Sequence, residues 1–104
     1  NPWVFQEVIS GWGEAVWPEM YLHNGLVTEF RASDQIGSAF KSGNLGELWN
    51  YGDGLVPSSS GLPFLDNHDT QRNGGASLTH RDGDLYRVAV MFMLAHPYGL
   101  PRIM

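Results

Sequence analysis

An α/β fold with parallel strands is what this sequence predicts, and three observations predict it. Short aromatic or β-branched runs alternate with helical ones, in the order strand, loop, strand, helix, strand, helix, strand. Such alternation favours parallel strands joined by crossover helices. The third strand ends in a polar burst, Asp66-Asn67-His68-Asp69 after Phe64-Leu65, which places chemistry at the carboxyl rim of a sheet. In α/β folds that rim is where ligands bind. Finally, four parallel strands with no return to the first leave two raw edges, which closure into a complete barrel would remove.

Taken in order, Pro2 to Ile9 (PWVFQEVI) carries aromatic and β-branched residues with a period of two and reads as a strand. Trp3, Phe5 and Glu7 share one face of it, an expensive place for a charge unless Glu7 has a partner or a job. A salt bridge would explain Glu7 as well as a function would. Ser10 to Asn24 is rich in Gly, Trp and Pro and reads as a long loop with a helical turn at Glu14 to Trp17. Its Trp12 and Trp17 could form a stacking platform for a flat ligand such as a sugar, or plug the loop onto the core. Asn24-Gly25 is a turn signal, and Leu26 to Phe30 follows as a short strand.

Ser33 or Asp34 can cap a helix that runs through Ile36, Ala39 and Phe40 and stops at Gly43. Asn44 to Tyr51 reads as a second short helix, and Gly52 to Gly61 as a Gly/Pro/Ser loop without evident chemistry. Leu62 to Asp66 is the third strand. It delivers a polar loop in which Asp66 or Asn67 could equally do no more than cap a turn. After that loop, Asp82 or Asp84 caps the clearest helix, Leu85 to Ala95, which is apolar on so many sides that burial is expected. Pro97 and Gly99 stop it, and Leu100 to Met104 begins a fourth strand.

Composition narrows the function. With 104 residues, a net charge of −5 and six scattered basic residues, the chain has no patch for nucleic acid. It has no cysteine, hence no disulfide or thiolate metal site. No apolar run nears the roughly 20 residues that cross a bilayer. His80, Asp82 and Asp84 (HRDGD) faintly suggest a calcium loop, but Leu85 stands where the glycine should be and Met91 where the closing Glu should be. His96 reads as a helix-end histidine and His23 as a solvated one. The chain opens on Asn1-Pro2 without an initiator Met and stops in the apolar Ile103-Met104, so both ends look cut from something longer.

Two strand ends carry acids, Glu7 on the first and Asp69 just past the third. In one parallel barrel both would meet at the same face, an arrangement suited to glycosidic bond hydrolysis. His68 and Arg72 beside Asp69 could hold sugar hydroxyls. Here a resemblance becomes specific. FQEVI at Phe5 to Ile9, GEA at Gly13 to Ala15 and NGLVTEF at Asn24 to Phe30 resemble α-amylases of the animal type. So do FLDNHDTQR at Phe64 to Arg72 and LYRVAVMFMLAHPYGLPRIM at Leu85 to Met104. The matches keep their order and span nearly the whole chain except Gly43 to Gly61.

The resemblance implies a partial TIM (β/α)8 barrel, roughly strands five to eight of the catalytic domain, with residues 1–104 forming no complete domain. It implies endo-hydrolysis of α-1,4-glucosidic bonds in starch, glycogen and malto-oligosaccharides with retention of configuration. Glu7 matches the family's proton donor, and Asp69 the supporting carboxylate that grips sugar hydroxyls. His68 matches a sugar-binding histidine, while Ile9 and Glu14 match contacts on the leaving side. Asn67 and Arg102 match chloride ligands. Calcium is implied for the full-length enzyme but with no ligand in this piece, since its ligands, the nucleophilic aspartate and a further chloride-binding arginine lie upstream of Asn1. A secreted, extracellular monomer is implied, with no nucleic-acid or membrane partner. One departure stands out: Arg72 is followed only by Asn73, Gly74 and Gly75, where animal enzymes carry a longer glycine-rich loop. Two other readings remain: a catalytically dead relative that binds sugar, and an unrelated sugar-binding module built on Trp12 and Trp17. The presence of both Glu7 and Asp69 disfavours the first, and the strand–helix alternation disfavours the second.

Overall fold

The computed structural model describes residues 2–103. Three strands form one parallel sheet in the order β1 (Phe5–Gln6), β2 (Leu26–Glu29), β3 (Gly61–Pro63). Phe5 pairs with Leu26 and Gln6 with Val27; Val27, Thr28 and Glu29 pair with Gly61, Leu62 and Pro63. The parallel arrangement is the one expected. The strands are shorter than the sequence suggests, because β1 keeps only two paired residues of the run from Pro2 to Ile9 and β3 stops at Pro63. Proline at that position lacks the N–H that would continue the ladder.

The expected fourth strand is an extended segment alongside β3. Leu100 N–H donates to the Gly61 carbonyl at 2.9 Å and Arg102 N–H to that of Pro63 at 2.8 Å, a parallel register without a completed ladder. Met104, which the sequence reading included, lies outside the described residues. Gly99 permits this approach: its φ is +70°, and a Cβ there would sit 2.5 Å from Pro63 Cδ and 2.8 Å from the Gly61 carbonyl oxygen.

Helix α1 (Phe30–Ser42) follows β2 without a loop. Its N-cap is Glu29, whose side chain accepts from the Arg31 N–H, and not Ser33 or Asp34 as expected. The helix starts a turn earlier, so Ser33 is left inside it, buried, with its hydroxyl donating to the Leu65 carbonyl. The C-terminus is where the sequence puts it, at left-handed Gly43, whose N–H returns to Phe40. The second short helix is a 3-10 turn over Leu45–Leu48, and the loop turn expected at Glu14 to Trp17 forms instead at Pro18–Tyr21. Proline there sits at the first helical position, which its fixed φ favours.

Helix α2 (His68–Asn73) replaces the expected polar loop, and α3 (Asp84–Ala95) follows a 3-10 turn at His80–Asp82. Neither expected acid caps α3. Its N-cap is Gly83, Asp82 accepts from the Thr79 N–H in the preceding turn, and Asp84 pairs with Arg87.

The core lies between the helices and the outer face of the sheet. Ala32, Ile36, Ala39 and Phe40 of α1 pack with Ala89 and Met93 of α3 and with Leu65, Leu78 and Tyr98. A smaller cluster of Val8, Val27 and Val56 lies under the loop that follows β1. Helix α3 departs from expectation: only Ala89 and Met93 are buried, while Val88, Met91 and Leu94 are 51%, 66% and 51% exposed. It buries one side against this chain and leaves its other apolar sides without a partner among the described residues.

Glu29 knits β2 to its surroundings. It is fully buried, and Arg31 grips it with Nε on Oε1 at 2.8 Å and Nη2 on Oε2 at 2.7 Å. The Val56 N–H adds a bond to Oε2 at 2.9 Å, and Glu19 takes a third side-chain hydrogen bond from Arg31, again from Nη2. These carboxylates raise the Arg31 pKa still further above its ordinary value, the Glu29 hydrogen bond first, against the opposing effect of burial.

Candidate active site

Alternation along the strands sorts the side chains into two sets. Val27 and Glu29 point outward to the core and the network just described. Phe5, Leu26, Thr28 and Leu62 share the opposite face, since paired residues in a parallel sheet project to the same side. Trp3 and Phe5 stack edge to face there with ring centroids 6.0 Å apart, as their shared period predicts. Glu7 follows two residues on and is exposed, because this face is open at its β1 edge among the described residues, while Leu62 of β3 is buried. The desolvation cost anticipated for a carboxylate beside two aromatics is therefore not incurred here.

At the carboxyl end of that face lies a cleft of about 220 Å³ lined by Glu7, Thr28, Phe64, Asp66, Asn67, His68, Arg102 and Ile103. Four of the seven expected site residues, Glu7, Asn67, His68 and Arg102, thus converge from three separate stretches of chain. The Phe64 ring meets Phe30 edge to face at 4.9 Å, bracing the floor. The Arg102 guanidinium lies over the Phe5 ring at 4.8 Å, a cation–π placement, and no hydrogen bond to another described residue engages it.

The other three candidates lie outside the cleft lining. Asp69 is exposed in the first turn of α2, where Oδ1 accepts from Asn73 Nδ2 at 2.6 Å. Ile9 and Glu14 are exposed on the loop that leaves β1. Trp12 on the same loop is fully exposed and Trp17 about half, so neither plugs the loop onto the core.

Asn67 has a structural task. Its Oδ1 accepts from the N–H groups of Asp69 (3.0 Å) and Thr70 (2.8 Å), while its own N–H donates to Thr70 Oγ1 at 3.0 Å. This is a complete capping box. With its oxygen committed to the helix, the amide offers only N–H donors to a ligand. The Arg102 guanidinium likewise offers only donors, and that donor set fits an anion. Among the described residues, no three His, Cys, Asp or Glu side chains are gathered as a metal ion requires. In the HRDGD stretch, Asp82 and Asp84 are occupied by the cap and ion pair already described.

Asp66, which the sequence reading placed in the polar burst or at a turn cap, joins the site without having been given a role there. It is 3% exposed; Oδ1 accepts from the Tyr86 hydroxyl of α3 at 2.8 Å, and Oδ2 is buried without a partner among the described residues. Tyr86 is pushed up to about 12, by burial first and then by the hydrogen bond and charge of Asp66. A signal existed: Phe64, which lines the cleft, and Asp66 are two residues apart, the spacing that puts side chains on one face of an extended chain.

No family model matches the chain. In sequence it is 44% identical, over its full length, to the alpha-amylase-related protein of Drosophila simulans, and 46% identical to pancreatic alpha-amylase 2a5 of Mus musculus. It spans 22% of the length of each of these relatives. In structure its whole length superposes on wild-type alpha-amylase I of Eisenia fetida with a TM-score of 0.91 at 38% identity, covering 23% of that chain. A mutant of the same enzyme in complex with maltohexaose matches with a TM-score of 0.87 at 36% identity over 96% of this chain, covering 22% of that one. The three-stranded parallel sheet with its helices on one face is in keeping with part of such an enzyme's barrel. Related along its whole length in both sequence and fold, this chain belongs to the α-amylase family.

Proposed function

We propose that the parent protein is an α-amylase that cleaves internal α-1,4-glucosidic bonds of starch, glycogen and malto-oligosaccharides with retention, and that residues 1–104 supply roughly strands five to eight of its catalytic barrel. The observation that carries this reading is the convergence of Glu7, Asn67, His68 and Arg102 on one cleft at the carboxyl end of the parallel sheet, in a chain related throughout to α-amylases. That end of a barrel is where its chemistry is placed.

In this reading Glu7 is the general acid, protonating the glycosidic oxygen as the bond breaks. The attacking carboxylate comes from a part of the barrel outside this chain. His68 hydrogen-bonds the sugar being cleaved. Asp69 grips its hydroxyls once freed from Asn73, and Ile9 and Glu14 meet the leaving side of the substrate. Asn67 and Arg102 hold a chloride ion through the donors they have to spare; bound there, chloride supplies a fixed negative charge beside the acid. Calcium is held elsewhere in the parent, which acts as a secreted monomer.

The test is starch digestion by the full-length parent, followed by iodine colour, reducing ends and the anomeric proton spectrum, with and without chloride. The expected result is colour lost well ahead of reducing ends, products released as the α-anomer, and a rate that rises with chloride. Release of the β-anomer, or binding of starch without cleavage, contradicts the reading; indifference to chloride removes the ion from it.

A further inference from the structure

Asp66 presents an unusual balance sheet for a buried carboxylate. Only 3% of it is exposed, one oxygen holds a single hydrogen bond, and the other has none among the described residues. Burying an acceptor without a donor is costly, and more so if it is charged. A carboxylate kept in that state at the wall of a cleft has a use for its position. What it does can be read from its two neighbours. On one side, Tyr86 reaches from the first turns of α3 and donates to Oδ1 at 2.8 Å. On the other side, the chain passes directly to Asn67, the cap of α2, and to His68, its first residue, both lining the cleft.

Helix α2 needs such a tie. It has six residues, none of them buried, and its own packing cannot fix its place. The capping box sets its internal start but not its position relative to the sheet. The residues that could fix it are those that lead into it. Leu65 is buried in the core and receives the Ser33 hydroxyl on its carbonyl. Asp66 is bolted to α3. Beyond Asp66, the hydrogen bonds of α2 are local except for one exposed contact at its far end, Gln71 Nε2 to His80 Nδ1 at 2.7 Å, which leaves the start of the helix to the residues that lead into it.

We propose that Asp66 is a positioning residue of the active site, which, with Tyr86 as its anchor on α3, fixes the start of α2 and so the placement of His68 and Asn67 in the cleft. The proposal rests on the amylase reading above for its reaction but on the hydrogen bond for its mechanism.

The experiment uses the full-length parent with Tyr86→Phe, Asp66→Ala, Asp66→Asn and the double variant Tyr86→Phe/Asp66→Ala. Each is assayed for kcat and KM on starch, and for maltohexaose affinity by calorimetry. Circular dichroism defines a temperature at which every variant is fully folded. Misplacement of a group by a fraction of an ångström to an ångström reaches ~10- to 100-fold in rate. The expected result is a loss of that order in kcat/KM for Tyr86→Phe and for Asp66→Ala. Asp66→Asn, which keeps the carbonyl that Tyr86 grips, stays within about threefold of wild type, and the double variant is no worse than Asp66→Ala alone. A Tyr86→Phe enzyme with unchanged kcat/KM overturns the proposal, as do losses that merely track the folded fraction. A wild-type parent that does not cut starch overturns the amylase reading instead; maltohexaose affinity then reads the anchor, and unchanged affinity in Tyr86→Phe sinks it too.

Discussion

At the residue scale, the side chains that matter most to the structure are acids whose surroundings no sequence pattern reveals. Glu29 lies in the run Leu26 to Phe30, where nothing marks it as buried. Its environment is built by Arg31, two residues on, by the distant Val56 and, through Arg31, Glu19, and by the chance that it ends a strand and begins a helix at once. Removing one partner of a buried pair leaves a charge uncompensated, which costs about 3–5 kcal/mol. Arg31→Met in the full-length parent is therefore expected to lower stability to denaturant by about 3 kcal/mol, with KM for starch unchanged because Glu29 faces away from the cleft. A loss below ~1 kcal/mol would show that the exposed part of Arg31 contributes little and that Val56 alone satisfies Glu29. Glu7 illustrates the opposite case. Its place on a face with Trp3 and Phe5 was legible from alternation, whereas its exposure was not, since exposure depends on what lies across that face. Asp66 was half legible: the period of two pointed to it, but its bond to Tyr86 spans 20 residues of sequence.

Among the elements, those that carry their own termination signals were legible and those made by long-range partners were not. Gly43 ends α1 through a local requirement for positive φ, and the sequence says so. The start of α1 moved because Glu29, a residue without a strong capping preference, caps it with help from Arg31. Helix α2 was read as loop because its six polar residues have no apolar stripe; the capping box formed by Asn67 and Thr70 makes it. Helix α3 was read correctly in extent but not in burial. Its apolar residues answer to more surface than this chain provides, as does the outer edge of β1, which no described strand pairs. From these two elements it follows that the 104-residue chain expressed alone does not fold cooperatively. Fully burying an exposed aliphatic side chain is worth about 1.5–3 kcal/mol, so Val88, Met91 and Leu94, half to two-thirds exposed, together forgo roughly 2.5–5 kcal/mol, a large share of a small domain's margin of ~5–15 kcal/mol. Thermal unfolding of the isolated chain, followed by near-UV circular dichroism and calorimetry, is expected to give no sigmoidal transition. A sharp, reversible transition with matching calorimetric and van't Hoff enthalpies would contradict this.

For the whole molecule, a parallel sheet, a polar rim and a family relationship together support the proposal that the cleft is a glycosidase's and that Glu7 is its acid. Asn67 and Arg102 entered as site residues only through the family resemblance, whereas the parallel strands and the meeting of Glu7 with the His68 stretch at one rim were legible because strand alternation is a local pattern. The place of Asp69, turned out of the cleft lining and bonded to Asn73, was not, since it depends on a helix that composition does not announce. The measurement that tests the central claim most directly is starch hydrolysis by the full-length parent beside its Glu7→Gln version, both checked for native circular dichroism. Glutamine keeps the shape of the side chain but has no proton to give, and general acid catalysis contributes at least ~100-fold. The account predicts a loss of that size or more in kcat, with maltohexaose still bound. Cleavage that survives the substitution at near wild-type rate would place the acid on another residue and contradict the assignment of this cleft.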